Sequence, residues 1–356
     1  MNTLSARYPQ LLLNLPFVTL TELPTPLDRA EELGEQLGLD VLWIKRDDLS
    51  APIYGGNKVR KLEYVFADAM AQGCDAVVTF GAVGSNHVLA TSIYARQLGL
   101  GCYGVLTKQP MTPYVANTLR YHLSLGTHIV PTHYHGSLEA AERIVAAHPT
   151  GPERVYSLTW GGSSWRGTVG FVNAAFELAD QLKHAEAPDR IYVACGTMGT
   201  AVGLAIGLRL AQLPTEVVAV QVVPYPAVIE TGMKELFAET ISHLHAIDNE
   251  IPLLDDPMQN LTLRTEFLGD GYAERTPECI EAVDLINATE GLHLETTYTG
   301  KGLAALVADA RSGKLKGKQV AFWNTYNSRP YPKAVATVDT SGLPAELQRY
   351  LEPGGG

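Results

Sequence analysis

An α/β architecture with two open, mainly parallel-sheet domains is what the 356-residue sequence predicts. Three observations carry it. Short apolar runs rich in β-branched residues alternate with amphipathic helical stretches over most of the chain, the pattern of parallel sheets joined by crossover helices. The length exceeds what one hydrophobic core usually serves, so two domains are expected. The chain is 46% hydrophobic and only 18% charged, the balance of a compact globular protein and not of a disordered one.

The N-terminal "MNTLSARYPQLLLNLPF" holds a short apolar run interrupted by prolines, too short and broken for a secretion signal or a membrane span. "YGGNKVRKLEY", residues 54–64, sets two glycines and an asparagine ahead of Lys58, Arg60 and Lys61, with a helix expected only after them. A first series of strands follows, "DAVVTFG", "CYGVLT", "THIVP" and "RVYSLT". Between them lie helical "HVLATSIYARQLG", "PYVANTLRYHLSLG" and "SLEAAERIVAAH". The long helix "TVGFVNAAFELADQLKHA" leads to a second series, "RIYVACG", "EVVAVQVV", "NLTLRTEF" and "KQVAFWNT". Its helices are "AVGLAIGLRLAQL", "VIETGMKELFAETISHL", "PECIEAVDLINATEG" and "KGLAALVADARSG", and the terminal "EPGGG" reads as a disordered tail. In such folds the ligand crevice lies at the carboxyl ends of the strands.

A formal net charge of −11 argues against a nucleic-acid partner, which needs a basic surface. Cys74, Cys102, Cys195 and Cys279 show no CxxC spacing and suit a reducing compartment. The expectation is a cytoplasmic protein with no metal site and no membrane partner.

Three loops at strand ends hold the candidate chemistry. After "RIYVAC", the turn Gly196, Thr197, Met198, Gly199, Thr200 offers backbone N–H groups, hydroxyls and a helix N-terminus, the elements of a phosphate cradle. Taken alone it reads equally as a tight strand-to-helix turn, and it matches neither GxGxxG nor the P-loop. In "TFGAVGSNHVLAT", Ser85 or Asn86 would cap the next helix. Their polar groups could also face the crevice for a carboxylate, with His87 either a general acid or a hydrogen-bonded histidine. In "GGNKVRK", the glycines permit tight packing round the stem of Lys58. A desolvated lysine loses proton affinity and becomes a nucleophile, whereas most lysines are surface charges.

Together these loops suggest pyridoxal 5'-phosphate, which needs an amine for its aldehyde, an anion site and a polar partner for its ring nitrogen. The sequence resembles the fold-type II (tryptophan synthase beta-like) pyridoxal-phosphate enzymes, in the branch of D-cysteine desulfhydrase and 1-aminocyclopropane-1-carboxylate deaminase. The matching segments run in order along the chain: "LPTPLDRAEELGEQLG", "LWIKRDDLS", "YGGNKVRKLEY", "GAVGSNH", "WGGSSWRGTVGFV", "CGTMGT", "DGY", "TTYTGKGLAAL" and "FWNT". The resemblance implies that Lys58 condenses with the cofactor aldehyde and that Asn86 bonds the ring hydroxyl. Residues 196–200 would hold the phosphate, and Thr325 would face the pyridine nitrogen. Ser85 and neighbouring N–H groups would grip the substrate carboxylate, with Asn86 and His87 close by. Tyr272 and Tyr298 would stand near the substrate. Also implied are a small domain, 64–168, inserted into a large cofactor domain of 1–63 plus 169–356, and a homodimer. The expected reaction is α,β-elimination from a small amino acid such as D-cysteine, giving a 2-oxo acid, ammonia and sulfide.

The sequence departs from the family in two places. Gly84 stands where the family has glutamine, and Leu89 and Ala90 replace arginine and glutamine. The family's "HTGG" becomes "NTYNS", with Asn324, Tyr326 and Asn327 as the new side chains, and Arg329 beyond them could supply a second anion contact. Cyclopropane ring opening and a sulfonated substrate such as cysteate are therefore alternatives, while His87 follows the desulfhydrase pattern. Other classes fit less well. A nicotinamide enzyme would show GxGxxG with a following acid. His128, His133 and His135 lack a nearby carboxylate except Glu139, and "WGGSSW" is not the GxSxG elbow.

Overall fold

A computed structural model describes residues 2–112, 114–183 and 185–351; the "EPGGG" tail lies outside the described residues. The strands are β1 (Leu27–Arg29), β2 (Val41–Lys45), β3 (Ala76–Ala82), β4 (Gly101–Thr107), β5 (His128–Thr132), β6 (Val155–Ser157), β7 (Arg190–Cys195), β8 (Glu216–Gln221), β9 (Leu261–Arg264) and β10 (Gln319–Trp323). They form a six-stranded sheet of order β1-β2-β10-β7-β8-β9 and a four-stranded sheet of order β5-β4-β3-β6. Only the β1–β2 pair is antiparallel. The two mainly parallel sheets are as expected; β1 and β2 are additions to the strands read from apolar runs.

Alternation along the central strands explains the layers. Ile191, Val193 and Cys195 of β7 and Val217 and Ala219 of β8 join one core with the helices Trp165–Gln181, Gly199–Leu210 and Pro226–Ile247. Tyr192, Val218 and Val220 join a second core on the opposite face, against the helices Pro277–Glu290 and Thr299–Arg311. A parallel sheet covered on both faces needs both sets to be apolar. The small sheet is likewise buried between Val77 and Cys102 on one side and Val78 and Val105 on the other.

The helix that carries Lys58 is Asn57–Ala71, so it includes the three basic residues after which the sequence suggested it would begin. Gly56 is the reason: at φ +92° it ends the preceding loop, and a Cβ there would lie 2.9 Å from the Thr325 carbonyl. This helix joins the two halves. Val59, Leu62, Val65 and Phe66 enter the small-sheet core, while Tyr64 enters the large one. Positions 64 and 168, the ends expected for the small domain, both fall within paired helices, Asn57–Ala71 and Trp165–Gln181. The C-terminal Leu343, Leu347 and Tyr350 pack with Val83, Val88, Leu106 and Val115 of the small unit.

Arg60, 1% exposed, locks this helix in place. It bonds both oxygens of Asp47 and both of Glu177, and Lys45 bonds Glu177. Burial pushes the Glu177 carboxyl up, but Arg60 and Lys45 outweigh it and hold the group down at about 2. Arg60→Met should cost about 3–5 kcal/mol, because it strands buried carboxylates; a lower midpoint in urea unfolding is the check. The depressed Glu177 value stabilises the fold above the unfolded pKa of about 4.3. That contribution should be lost as pH falls towards about 2, and Glu177→Gln should flatten the acid limb of stability against pH.

Candidate active site

A cavity of about 900 Å³ opens where the carboxyl ends of the two sheets meet. Lys58, Ser85, Asn86, His87, Gly196, Thr197, Met198, Thr200, Tyr272, Tyr298 and Thr325 all line it. Gly199 sits behind its wall, with its N–H donated to Ser163 Oγ at 3.2 Å. The loops after β3, β7 and β10 thus converge with the start of the Lys58 helix.

Hydrogen bonds tie these loops to one another. Asn57 N–H donates to the Thr325 carbonyl at 3.1 Å, and Asn57 Nδ2 donates to Thr200 Oγ1 at 2.9 Å. Gly55 N–H donates to Asn327 Oδ1 at 2.7 Å. Burial lowers the Lys58 ammonium from 10.5 to about 8, opposed by Cys195 and Glu295. A lysine with an ordinary pKa is almost wholly protonated at pH 7; at about 8 roughly a tenth is free amine.

The turn after β7 has the form of an anion cradle. Met198 takes φ +70° and the helix Gly199–Leu210 begins directly after it. Ser163 Oγ and Thr197 Oγ1 are 2.8 Å apart, and Lys61 Nζ donates to Ser163 Oγ at 3.0 Å and to the Gly161 carbonyl at 3.2 Å. Burial, then the charge of Lys58, drives the Lys61 ammonium well below its usual value; an arriving anion would favour its charged form. Sequence reasoning assigned no cofactor role to Lys61, Ser163 or Asn57. The signal for Lys61 was its i, i+3 spacing from Lys58, which puts both on one helix face once the helix starts at Asn57.

Ser85 caps the helix Asn86–Gln97, its Oγ accepting the Val88 N–H at 3.3 Å. The Gly84 and Ser85 N–H groups are already bonded, to Gln109 Oε1 and the Ala82 carbonyl. First-turn N–H groups have no intrahelical acceptor, so those of Asn86 and His87 are the donors the turn can offer a carboxylate. Asn86 Oδ1 accepts from the Tyr54 hydroxyl at 3.1 Å, which leaves its Nδ2 as a donor. His87 is 3% exposed and its Nε2 lies 2.9 Å from Thr79 Oγ1. Burial first, then Lys58 and Lys61, pushes its pKa well below the usual value, so it is a neutral ring.

On the large-sheet side, Tyr272 and Tyr298 share a hydrogen bond of 2.7 Å. Burial, then the paired hydroxyl, keeps the Tyr298 pKa well above its usual value, while burial takes Tyr272 to about 12. Both phenols therefore hold their protons at neutral pH. Glu295, which sequence reasoning passed over, is 5% exposed and accepts the N–H groups of Thr297, Tyr298 and Thr299. It caps the following helix and fixes Tyr298. Arg329 does not reach the site. It donates to the carbonyls of Ala51 and Leu49 and lines a separate cavity of about 610 Å³. The anion contact expected of it is replaced by a structural one.

An amine of low proton affinity beside an anion cradle, at the meeting of two parallel sheets, defines a site that fits a phosphate-bearing aldehyde cofactor. The chain belongs to the pyridoxal-phosphate-dependent enzymes: the family model described as "Pyridoxal-phosphate dependent enzyme" matches residues 18–325. It is 31% identical over 317 residues to a D-cysteine desulfhydrase of Klebsiella pneumoniae (strain 342), covering 86% of this chain and 92% of that one. The solved structure of an ACC deaminase homologue matches with a TM-score of 0.78 and 29% identity, over 92% of this chain and 95% of the other. Threonine deaminase isoform 2 of Solanum lycopersicum shares the fold, with a TM-score of 0.59 and 16% identity over 94% and 85% of the two chains. The chain is thus a pyridoxal-phosphate-dependent lyase of the desulfhydrase and deaminase type.

Two measurements test the site. Cofactor-free protein should take up pyridoxal phosphate faster as pH rises, following free Lys58 amine with a midpoint near 8, and Lys58→Ala should give no visible band. Lys61→Met should raise the cofactor dissociation constant by about 10- to 100-fold, the worth of a charge-assisted hydrogen bond, as read by fluorescence titration.

Proposed function

We propose that the chain eliminates the β-substituent of a small amino acid, D-cysteine first, to give a 2-oxo acid and ammonia, with sulfide from D-cysteine. One observation carries the reading. The cavity holds both an amine depressed to about 8, Lys58, and a pair of protonated phenols, Tyr272 and Tyr298. Elimination needs a base for the α-proton and an acid that still holds its proton at neutral pH for the leaving group.

Lys58 and Asn86 would hold the cofactor at its aldehyde and ring hydroxyl. Thr325 would face its nitrogen, and residues 196–200 with Lys61 and Ser163 would hold its phosphate. Bound there, pyridoxal phosphate supplies the electron sink that makes the α-proton acidic. Ser85 Oγ with the Asn86 and His87 N–H groups would orient the substrate carboxylate. Lys58, once free, would take the α-proton at Nζ, and Tyr298, held by Glu295 and Tyr272, would give its proton to the leaving sulfur. A neutral His87 at the wall fits a packing and orienting role beside the carboxylate.

The second reading is opening of 1-aminocyclopropane-1-carboxylate, supported by the likeness to the ACC deaminase homologue. A sulfonated substrate such as cysteate has less support, since Arg329 is bonded elsewhere. We further propose the division into 1–63 plus 169–356 and 64–168, each unit giving one cavity wall, and a cytoplasmic homodimer. Support for the latter comes from four buried free thiols and the exposed Leu12 and Leu13 near the N terminus. Among the described residues no helix is long and apolar enough to cross a membrane.

Release of 2-oxo acid should be fastest from D-cysteine among D-cysteine, L-cysteine, 1-aminocyclopropane-1-carboxylate and cysteate, with sulfide formed in equal amount. Tyr298→Phe should lower kcat by about 10²- to 10⁴-fold while the cofactor's visible band persists. A protein that keeps its cofactor and releases no 2-oxo acid from any of the four would overturn the reading.

A further inference from the structure

The turn before the helix Asn86–Gln97 contains a residue without a side chain, Gly84, and the space beside it is filled from elsewhere. A Cβ at this position would lie 3.0 Å from Nε2 and 3.2 Å from Oε1 of Gln109. The same carboxamide accepts the Gly84 N–H at 3.1 Å. Gly84 is not among the residues of positive φ, so its backbone does not demand glycine. What a side chain there would meet is Gln109 and, equally close at 3.0 Å, Cγ2 of Val115.

Gln109 follows β4 and is itself held by the far end of the chain. Its backbone N–H donates to the Tyr350 hydroxyl at 3.2 Å, and that hydroxyl donates to the Gln109 carbonyl at 2.8 Å. Tyr350 is 2% exposed and packs in one cluster with Leu343, Leu347, Val83 and Val115. A continuous set of contacts therefore runs from the C-terminal segment through Gln109 to Gly84, the residue before Ser85. With the Gly84 and Ser85 N–H groups both bonded within the protein, the turn is fixed, and so is the direction of the remaining Asn86 and His87 donors.

We propose that Gln109, clamped by Tyr350, is a positioning residue that sets the carboxylate-gripping turn 83–86. It supports from the neighbouring strand end a turn that carries its own glutamine at position 84 in the resembling family. The proposal rests on reading that turn as the carboxylate grip. It makes Tyr350, which does not line the cavity, a distant support of the binding site.

The test uses the holoenzyme with Gln109→Ala and Tyr350→Phe. Both should speed hydrogen–deuterium exchange of the 83–86 amides and raise KM about tenfold, the effect of one lost buried hydrogen bond. The kcat should stay within about twofold and the cofactor's visible band should not move. Gly84→Gln alone should bind substrate worse than the wild type because it meets the Gln109 amide and Val115, and joining it to Gln109→Ala should recover part of the loss. Unchanged exchange at 83–86 in both single variants would overturn the proposal. So would a fall in Tm and kcat with KM fixed, the mark of a structural role only. If the wild type turns over no amino acid, the functional reading fails and the exchange measurement alone decides the clamp.

Discussion

The structure depends on one buried charge cluster. Arg60, Lys45, Asp47 and Glu177 are each at most 3% exposed, and their formal charges sum to zero. An isolated buried charge would cost several kcal/mol, which only close partners and complete hydrogen bonding can offset. The cluster meets that condition by drawing in Thr25 Oγ1 and the indole N–H of Trp323. It thereby joins the end of β2, the end of β10 and two long helices. None of these elements can shift alone without leaving a charge or a donor unpaired.

Its consequence for chemistry is directional. Residues two apart on a helix point about 200° from each other, and residues three apart about 60°. With Arg60 drawn into the cluster, Lys58 must face the other way, into the cavity, and Lys61 shares its side. Lys58 then depresses the Lys61 ammonium, on top of the desolvation that each suffers. Glu295 is the one carboxylate among the described residues lining the cavity, and its oxygens are occupied by a helix N-terminus. A locally positive cavity in a chain of net charge −11 concentrates small anions at a single place.

Much of this was legible in the sequence. The strands of both sheets that read as apolar runs are where they were expected, and the loops that carried the motifs do converge. The failures share a cause. "VLWIKRDD" ends in charged residues that entered only as part of the family pattern, yet Lys45, Asp47 and Asp48 are fully buried, because composition reveals a charge and not its partner. The start of the Lys58 helix was misplaced for the same reason: Gly56 packs against the Thr325 carbonyl, which accepts the Asn57 N–H, nearly 270 residues away in the sequence. Glu295 belonged to no motif, and its role rests on three backbone donors that only the fold brings to it. Gln109 and Tyr350 are 241 residues apart, and no local pattern could pair them.

The departures from the family pattern look in sequence like a remodelled pocket, but the structure gives them a more specific meaning. Asn327 replaces a glycine, and its Oδ1 accepts the Gly55 and Arg329 N–H groups, so it cross-links the Lys58 loop to the segment after β10. Arg329 extends that link to residues 49 and 51. Tyr326 lines both the main cavity and its neighbour of about 610 Å³, so its ring forms part of the wall between them. These substitutions add side chains where the pattern has none, and each added group is bonded or packed. They fill the wall beside Thr325, and Tyr272, Tyr298 and Tyr326 stand as phenols around the cavity. On the proposed reading, a pocket bounded in that way would favour a short substrate side chain, whose leaving group would meet the Tyr298 hydroxyl without displacing the wall.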